Sequence, residues 1–311
     1  MSDIAAIAID WGTSRMRLWA LGADASVLAV RRSEEGLEGA RDAGFDVILD
    51  RHMSDLGVGP DVPVIICGMA GSRQGWVEAP YADAPASLDA LITKAAKVPA
   101  IRRDVRILPG IAQRKSGAPD VMRGEETQLI GLNAGKGRHL VCMPGTHSKW
   151  VDLDSGRVGH FTTYLTGELF ALFSRHSILR HSIGADASFD AGNAAFAEAC
   201  EAMVEAPENL PKRLFSIRAA SLLEGTSASD SAAALSGLLI GAEVGSARRT
   251  YGTNASVTLV GSGMLGSLYE KALTTGGFRH RLADGETLVR DGLTAAARVF
   301  WPSRFALRKI A

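Results

Sequence analysis

The sequence predicts an α/β protein made of two structurally related domains. Three observations carry that reading. The 311 residues exceed one typical domain and suit about two, which allows two cores and a cleft between them. A succession of strand, turn, strand, turn, strand and helix occurs twice. Two similar turns, Gly12-Thr13-Ser14-Arg15 and Gly145-Thr146-His147-Ser148-Lys149, each follow an apolar strand with a glycine, a hydroxyl pair and a cation.

In chain order, Ile4–Asp10 is a short apolar run bounded by Gly12, which reads as a buried strand. Arg15–Leu21 alternates, with Met16, Leu18 and Ala20 on one face and Arg15, Arg17 and Trp19 on the other. Ser26–Arg32 offers a third strand. Glu38–Leu56 has helical spacing up to Gly57 and Gly59. Val62–Cys67 is the next strand, Gly68–Ala79 a loop, Pro85–Ala96 partly helical, and Arg106–Leu108 a strand closed by Pro109-Gly110. Asp120–Leu132 is helical in its second half.

The pattern then restarts. His139–Met143 is a strand, and Trp150–Leu153 and Val158–Thr163 flank the hairpin turn Asp154-Ser155-Gly156. Leu169–Leu179 has helical spacing. From Ala191 to Ala247 the chain is alanine-rich and mostly helical. Val257–Val260 is a strand, followed by the glycine-rich run Gly261–Gly266, a helix at Ser267–Leu273 and another at Asp291–Val299. No low-complexity linker marks a boundary.

Composition excludes some functions. The 34 basic and 34 acidic residues cancel, and no long basic run offers the footprint of a nucleic-acid binder. A local anion site stays compatible with zero net charge. Cys67, Cys142 and Cys200 form no CxxC pair and read as small core residues in a reducing cytosol. The N-terminal MSDIAAIAID lacks a basic region and a long apolar stretch, so no signal peptide is expected. Thr250–Tyr269 carries no charge, but more than half of it is Gly, Ser, Thr or Asn, so it is not a membrane span.

Five segments can carry chemistry. In IDWGTSR (Ile9–Arg15), Gly12 lets the backbone approach a ligand. Turn amides and the Thr13 and Ser14 hydroxyls can surround phosphate oxygens, and Asp10 can hold Mg2+ through water. A plain hairpin with a capping aspartate is the alternative for this motif alone. CMPGTHSKW (Cys142–Trp150) offers the same groups at Gly145, Thr146, His147 and Ser148, with Lys149 as an added point charge. Two such turns facing across a cleft would grip a polyphosphate from both sides, which points to a phosphate-handling enzyme.

LVGSGMLGS (Leu259–Ser267) matches GxGxxG after a strand, and Asp284 stands near the acidic position of a dinucleotide fold. Only 27 residues follow Asp284, too few for the rest of such a domain. Gly261, Ser262 and Gly263 are therefore read as a turn approaching a nucleoside, with a bare strand–helix turn as the alternative. No P-loop, GxSxG elbow or His/Cys metal cluster is present.

In PDVMRGEETQLIG (Pro119–Gly131), Glu125 and Glu126 open a helix. They serve either as favourable charge at its N-terminus or as a carboxylate accepting a hydroxyl proton. CGMAGSRQGWVEAPY (Cys67–Tyr81) is a polar loop of the kind that forms binding sites. Its Arg73 can pair bidentately with a substrate carboxylate. Arg73, Gln74, Trp76, Arg123 and Lys149 are the candidate substrate-binding residues.

These segments resemble the 2-dehydro-3-deoxygalactonokinase family, sugar-acid kinases of the actin-like ATPase superfamily to which hexokinase belongs. The resemblance rests on IDWGTSR (Ile9–Arg15), GMAGSRQGWVEAPY (Gly68–Tyr81), PDVMRGEETQ (Pro119–Gln128), PGTHSKWV (Pro144–Val151) and LTGELFALF (Leu165–Phe173). It implies two RNase H-like domains, residues 1–135 with a sugar-acid-binding loop and residues 136–311 with the nucleotide site. The last helix is a candidate to return to the first domain.

The resemblance further implies ATP and Mg2+ as cofactors and transfer of the γ-phosphate to the 6-hydroxyl of 2-dehydro-3-deoxy-D-galactonate. By motif, Asp10–Ser14 would be the first phosphate segment with Asp10 near the metal, Gly145–Ser148 the second, and Gly261–Gly266 the adenosine segment. Related sugar kinases place an aspartate as base before the second phosphate segment. Here Glu125-Glu126 stands there; Glu125 is favoured because it follows Gly124, where related carbohydrate kinases have Gly-Asp. The expected setting is cytoplasmic, with a small sugar acid as partner, no nucleic acid, no membrane, and a homodimer left open. The rival readings are a kinase for another keto-deoxy acid such as 2-dehydro-3-deoxygluconate, an RNase H-like nuclease, and a non-catalytic actin-like nucleotide switch.

Overall fold

The computed structural model describes residues 4–115, 117–184 and 187–306. Two compact units emerge: Met1–Gly137, Asp154–His160 and Gly285–Ala311 form unit 1, and Arg138–Leu153 with Phe161–Asp284 form unit 2.

Unit 1 opens with the strands β1 (Ile4–Trp11), β2 (Met16–Gly22) and β3 (Val27–Ser33). Helices α1 (Leu37–Ala43) and α2 (Phe45–Asp55) follow. The helical spacing of Glu38–Leu56 suggests one helix, but Gly44 lies between the two with φ 92°. That left-handed backbone cannot continue a helix, and glycine adopts it at no steric cost. Next come β4 (Val64–Gly68), β5 (Ala82–Asp83), β6 (Ala86–Ser87), α3 (Leu88–Ile92), β7 (Ala96–Lys97) and β8 (Val105–Ile107). The hairpin β9 (Ile111–Lys115) and β10 (Ala118–Met122) precedes α4 (Glu125–Leu132).

The main sheet of unit 1 runs β3-β2-β1-β4-β8-β7. β1 pairs antiparallel with β2 and parallel with β4. It reads as a continuous apolar run because both faces are covered. Ile7, Ile9 and Trp11 pack with Phe45, Ile48 and Leu49 on one side. Ala6 and Ala8 pack on the other with Val289, Leu293, Ala296 and Ala297.

Unit 2 contains β11 (Arg138–Met143), β12 (Ser148–Asp154) up to Leu153, β13 (Arg157–Tyr164) from Phe161 onward, α5 (Thr166–His176) and α6 (Arg180–Ile183). Three further helices cover the alanine-rich stretch: α7 (Ala194–Glu205), α8 (Leu210–Leu223) and α9 (Ala228–Tyr251). β14 (Val257–Val260), α10 (Gly263–Thr275) and β15 (His280–Ala283) complete it. Its strands run β13-β12-β11-β14-β15, with β11, β14 and β15 parallel. This is the order β3-β2-β1-β4-β8 over again, the strand arrangement of an RNase H-like fold in each unit. The last helix, α11 (Gly285–Phe300), belongs to unit 1 and supplies the residues that cover Ala6 and Ala8. Among the described residues no helix is long and apolar enough to cross a membrane.

Candidate active site

In unit 1 the turn Gly12–Arg15 closes the β1–β2 hairpin, with Gly12 N–H donating to Arg15 O at 2.9 Å. Thr13 and Ser14 are exposed. The turn is held from below by the start of α1, where Leu37 N–H donates to Gly12 O at 2.9 Å. Gly36 lies so close that a Cβ there would meet Thr13 O at 2.3 Å.

The antiparallel register sets Asp10 opposite Arg17, and Arg17 Nη2 donates to Asp10 Oδ2 at 2.8 Å. Cys67 Sγ approaches Asp10 Oδ1 at 3.8 Å. Burial pushes the Asp10 carboxyl up from its ordinary value; the Arg17 charge and the hydrogen bonds from Arg17 and Cys67 oppose this, and the Glu125 charge adds to it. Arg17 also reaches Glu286 of α11 at 3.4 Å, and Glu286 takes Arg32 at 2.6 Å. Asp10, Gly12, Thr13, Ser14, Arg17 and Glu286 border a cavity of about 560 Å³.

The two glutamates of α4 differ. Glu126 is 0% exposed and takes the Gly124 N–H on both oxygens, at 2.9 and 2.8 Å. Burial, with the repulsion of Glu125 second, pushes its carboxyl up to about 8. Glu125 is half-buried and accepts from Arg123 N–H at 3.0 Å. Gly124 brings this helix start against the end of β4, since a Cβ on Gly124 would touch Gly68 Cα at 3.7 Å. Gly68 pairs with Trp11, the residue after Asp10.

The loop after β4 is tightly folded, with Trp76 N–H on Ala70 O at 2.8 Å and Ala79 N–H on Gly71 O at 3.0 Å. Its tip, Arg73 and Gln74, is exposed. Trp76 instead packs inward, stacked on Phe45 at 5.8 Å and edge-on to Trp11 at 6.3 Å. Its ring anchors the loop to the core. Arg123 lies over the Tyr81 ring at 4.4 Å and donates to Ala79 O at 3.0 Å. Its Nε and Nη1 have no hydrogen-bond partner among the described residues.

Unit 2 repeats the first turn's anchoring. Gly145–Ser148 follows β11, and Glu168 N–H at the start of α5 donates to Thr146 O at 3.0 Å. A Cβ on Gly167 would meet Gly145 O at 2.5 Å. His147 is exposed and sits 2.5 Å from Glu168 Oε2. Ser148 and Lys149 are buried rather than offered to solvent. Ser148 Oγ donates to Glu243 at 2.6 Å, and Lys149 Nζ to His147 O at 3.1 Å. These two side chains brace the turn from behind.

Gly145 and Thr146 border an apolar pocket of about 400 Å³ walled by Phe170, Leu239, Ile240 and Leu268. Gly261 and Ser262 lead into α10, which begins at Gly263, so the glycine-rich run is already helical where the sequence suggested a turn. Met264 and Leu265 of that first helical turn join the pocket wall.

Sequence reasoning missed three polar partners. Arg17 was legible, because a four-residue turn between paired strands sets residue 10 opposite residue 17. Glu286 and Glu243 carried no signal beyond an acid in a helical pattern; both meet their partners only through tertiary packing.

A family model described as 2-keto-3-deoxy-galactonokinase matches residues 10–296. A protein of Rhizobium meliloti named as a 2-dehydro-3-deoxygalactonokinase is 52% identical over 297 residues, covering 95% of this chain and 97% of that one. The 2-dehydro-3-deoxygalactonokinase of Escherichia coli is 35% identical over 292 residues, 94% of this chain and 97% of its own. A crystal structure from Sinorhizobium meliloti, described under the same activity, superposes with a TM-score of 0.93 at 52% identity, covering 96% of this chain and 99% of that one.

Proposed function

The chain belongs to the 2-keto-3-deoxy-galactonokinase family, and we infer from this that it is a sugar-acid kinase that phosphorylates 2-dehydro-3-deoxygalactonate with ATP. The observation in the molecule that carries the reading is the repeated turn, each copy ending the first strand of its unit and pinned by a helix start. In the proposed assignment, unit 2 takes the nucleoside in its apolar pocket, beside the amides of Gly145 and Thr146. Gly12, Thr13 and Ser14 offer amides and hydroxyls to phosphate oxygens at the cavity of unit 1.

The reaction forms a bond between an acceptor oxygen, proposed as the 6-hydroxyl, and the γ-phosphorus. The bond from that phosphorus to the β–γ bridging oxygen breaks, and ADP leaves. The hydroxyl proton passes to the Glu125 carboxylate, which the Arg123 N–H orients. Glu126, closed off from solvent and bound to its own helix start, holds that helix in place. Arg73 at the loop tip and Arg123 at its base supply cations for the substrate carboxylate. Protein catalysis here is mostly positioning and charge stabilisation.

A magnesium ion fits the residues present. Asp10 lies at the cavity rim with 17% side-chain exposure, and no cluster of three or more His, Cys, Asp or Glu occurs among the described residues. A dication held by one carboxylate, phosphate oxygens and water matches that donor set. When bound, Mg2+ would neutralise phosphate charge.

A panel assay tests the function. The protein is incubated with Mg-ATP and a series of keto-deoxy sugar acids, and ADP release is followed. The expected result is release with 2-dehydro-3-deoxygalactonate well above that with its gluconate epimer. No substrate-dependent ADP across the panel overturns the kinase reading.

A further inference from the structure

Glu243 lies in the middle of α9 and is 2% exposed. Its carboxylate accepts from Ser148 Oγ at 2.6 Å, Trp150 Nε1 at 2.8 Å and Tyr269 OH at 2.7 Å, and also from Thr166 Oγ1. An ionised carboxylate only accepts, so donors of this kind suit it. Burial pushes the Glu243 carboxyl above its ordinary value, and the hydrogen bonds from Ser148, Thr166, Tyr269 and Trp150 oppose this in part. The donors come from different elements: Ser148 and Trp150 from β12, Thr166 from the start of α5, and Tyr269 from α10.

Two of those elements, α5 and α10, also wall the apolar pocket, as does α9 itself. Thr166 and Tyr269 border it directly. Ser148 ends the turn whose Gly145 and Thr146 border it, and α9 contributes Ser236, Leu239 and Ile240. One buried carboxylate therefore ties the end of the turn to α5, α9 and α10, which wall this pocket; Glu243 and Thr166 also border a second cavity of about 400 Å³. Two of its four donors, Thr166 and Tyr269, are themselves lining residues, so the bonds to Glu243 help set the shape of that pocket.

We propose that Glu243 is a positioning residue for nucleotide binding: it holds the pocket walls and the Gly145–Ser148 turn in the geometry that receives the nucleoside and its phosphates. The inference rests on reading that pocket as the nucleoside site. Glu243 does not touch the ligand; it acts through Ser148, Thr166 and Tyr269.

The test uses the full chain and compares Glu243→Ala with Glu243→Gln. Measured are KM for ATP and for 2-dehydro-3-deoxygalactonate, ADP affinity by calorimetry, and Tm. Glu243→Ala is expected to raise KM for ATP and weaken ADP binding about 10-fold or more, with KM for the sugar acid changed less than about 2-fold. Glu243→Gln should recover ADP affinity to within about 3-fold. The Trp150 indole N–H can only donate, so it fixes the amide oxygen, while the Thr166 and Tyr269 hydroxyls can turn to accept from the amide nitrogen.

If Glu243→Ala does not fold, Tyr269→Phe removes one of the bonds and keeps the ring; it should weaken ADP about 3-fold or more without moving KM for the sugar acid. Unchanged ADP affinity in a folded variant overturns the proposal, as does an equal rise in both KM values. Ile240→Trp, which fills the pocket, separates the two levels. Loss of ADP binding there with none in Glu243→Ala sinks only the positioning role. ADP binding undisturbed by Ile240→Trp sinks the pocket reading beneath it.

Discussion

Adjacent glutamates at the start of α4 meet different surroundings, and each yields a prediction. Glu125 is half-buried beside Asp10, so Glu125→Gln is expected to lower kcat about 100-fold or more if it takes the hydroxyl proton; near-normal turnover would remove it from that role. Burial pushes the Glu126 carboxyl up to about 8, against an ordinary value of 4.5. Between those two values the native state holds a proton that the unfolded chain releases. Stability therefore falls as pH rises, by up to about 1.4 kcal/mol per pH unit from this group. Glu126→Gln mimics the neutral acid, so its Tm should drop less than the parent's between pH 6 and pH 9 in thermal melts. An identical drop would count against the raised value. The identity of these two residues was legible in the sequence, but their division was not, because a helix start turns one side chain inward and the next outward only once the helix is docked.

At the scale of elements, the two phosphate-type turns share a device that residue spacing did not reveal. Each is gripped by a glycine at a helix start, Gly36 against Thr13 and Gly167 against Gly145. A methyl group at either position would strike backbone, and overpacking of this kind costs about 1–3 kcal/mol. Gly167→Ala is expected to lower Tm and to raise KM for ATP more than KM for the sugar acid; a melt and a pair of KM measurements decide it. The loop after β4 gives a complementary case. Its tip is exposed while Trp76 and Arg123 hold its base. Arg73→Ala should therefore leave Tm nearly unchanged and raise KM for the sugar acid much more than for ATP. Equal effects on both would argue against a carboxylate contact. The sequence made Arg73, Gln74 and Trp76 of this loop candidate substrate contacts; packing sets the half-buried Trp76 ring against Phe45 and Trp11 at the edge of the core, where an indole removes apolar surface from water.

For the whole molecule, the same strand order in both units accounts for the doubled pattern of the sequence. The chain does not divide at one point: α11, after the last strand of unit 2, belongs to unit 1 and seals its sheet. Zero net charge is compatible with the local anion sites proposed above. Global stability should report nucleotide binding. ADP at about 100 times its Kd should stabilise the fold by about 2.7 kcal/mol and raise Tm by a few degrees. No rise at saturating ADP would count against a nucleotide site.

The sequence by itself determined the two-fold repeat, the strands that end in Gly12 and Gly145, the glutamate pair and the loop bearing Arg73. These are local matters, governed by apolar periodicity, turn chemistry and motif spacing, which act over a few neighbouring residues. Tertiary structure alone decided which glutamate is buried, that Ser148 and Lys149 brace their turn from behind, that Trp76 packs against the core, and that Glu243 and Glu286 have partners far along the chain. Burial, hydrogen-bond partners and charge are properties of neighbours in space. A helix or strand pattern sets a residue's face, but only packing sets what that face meets.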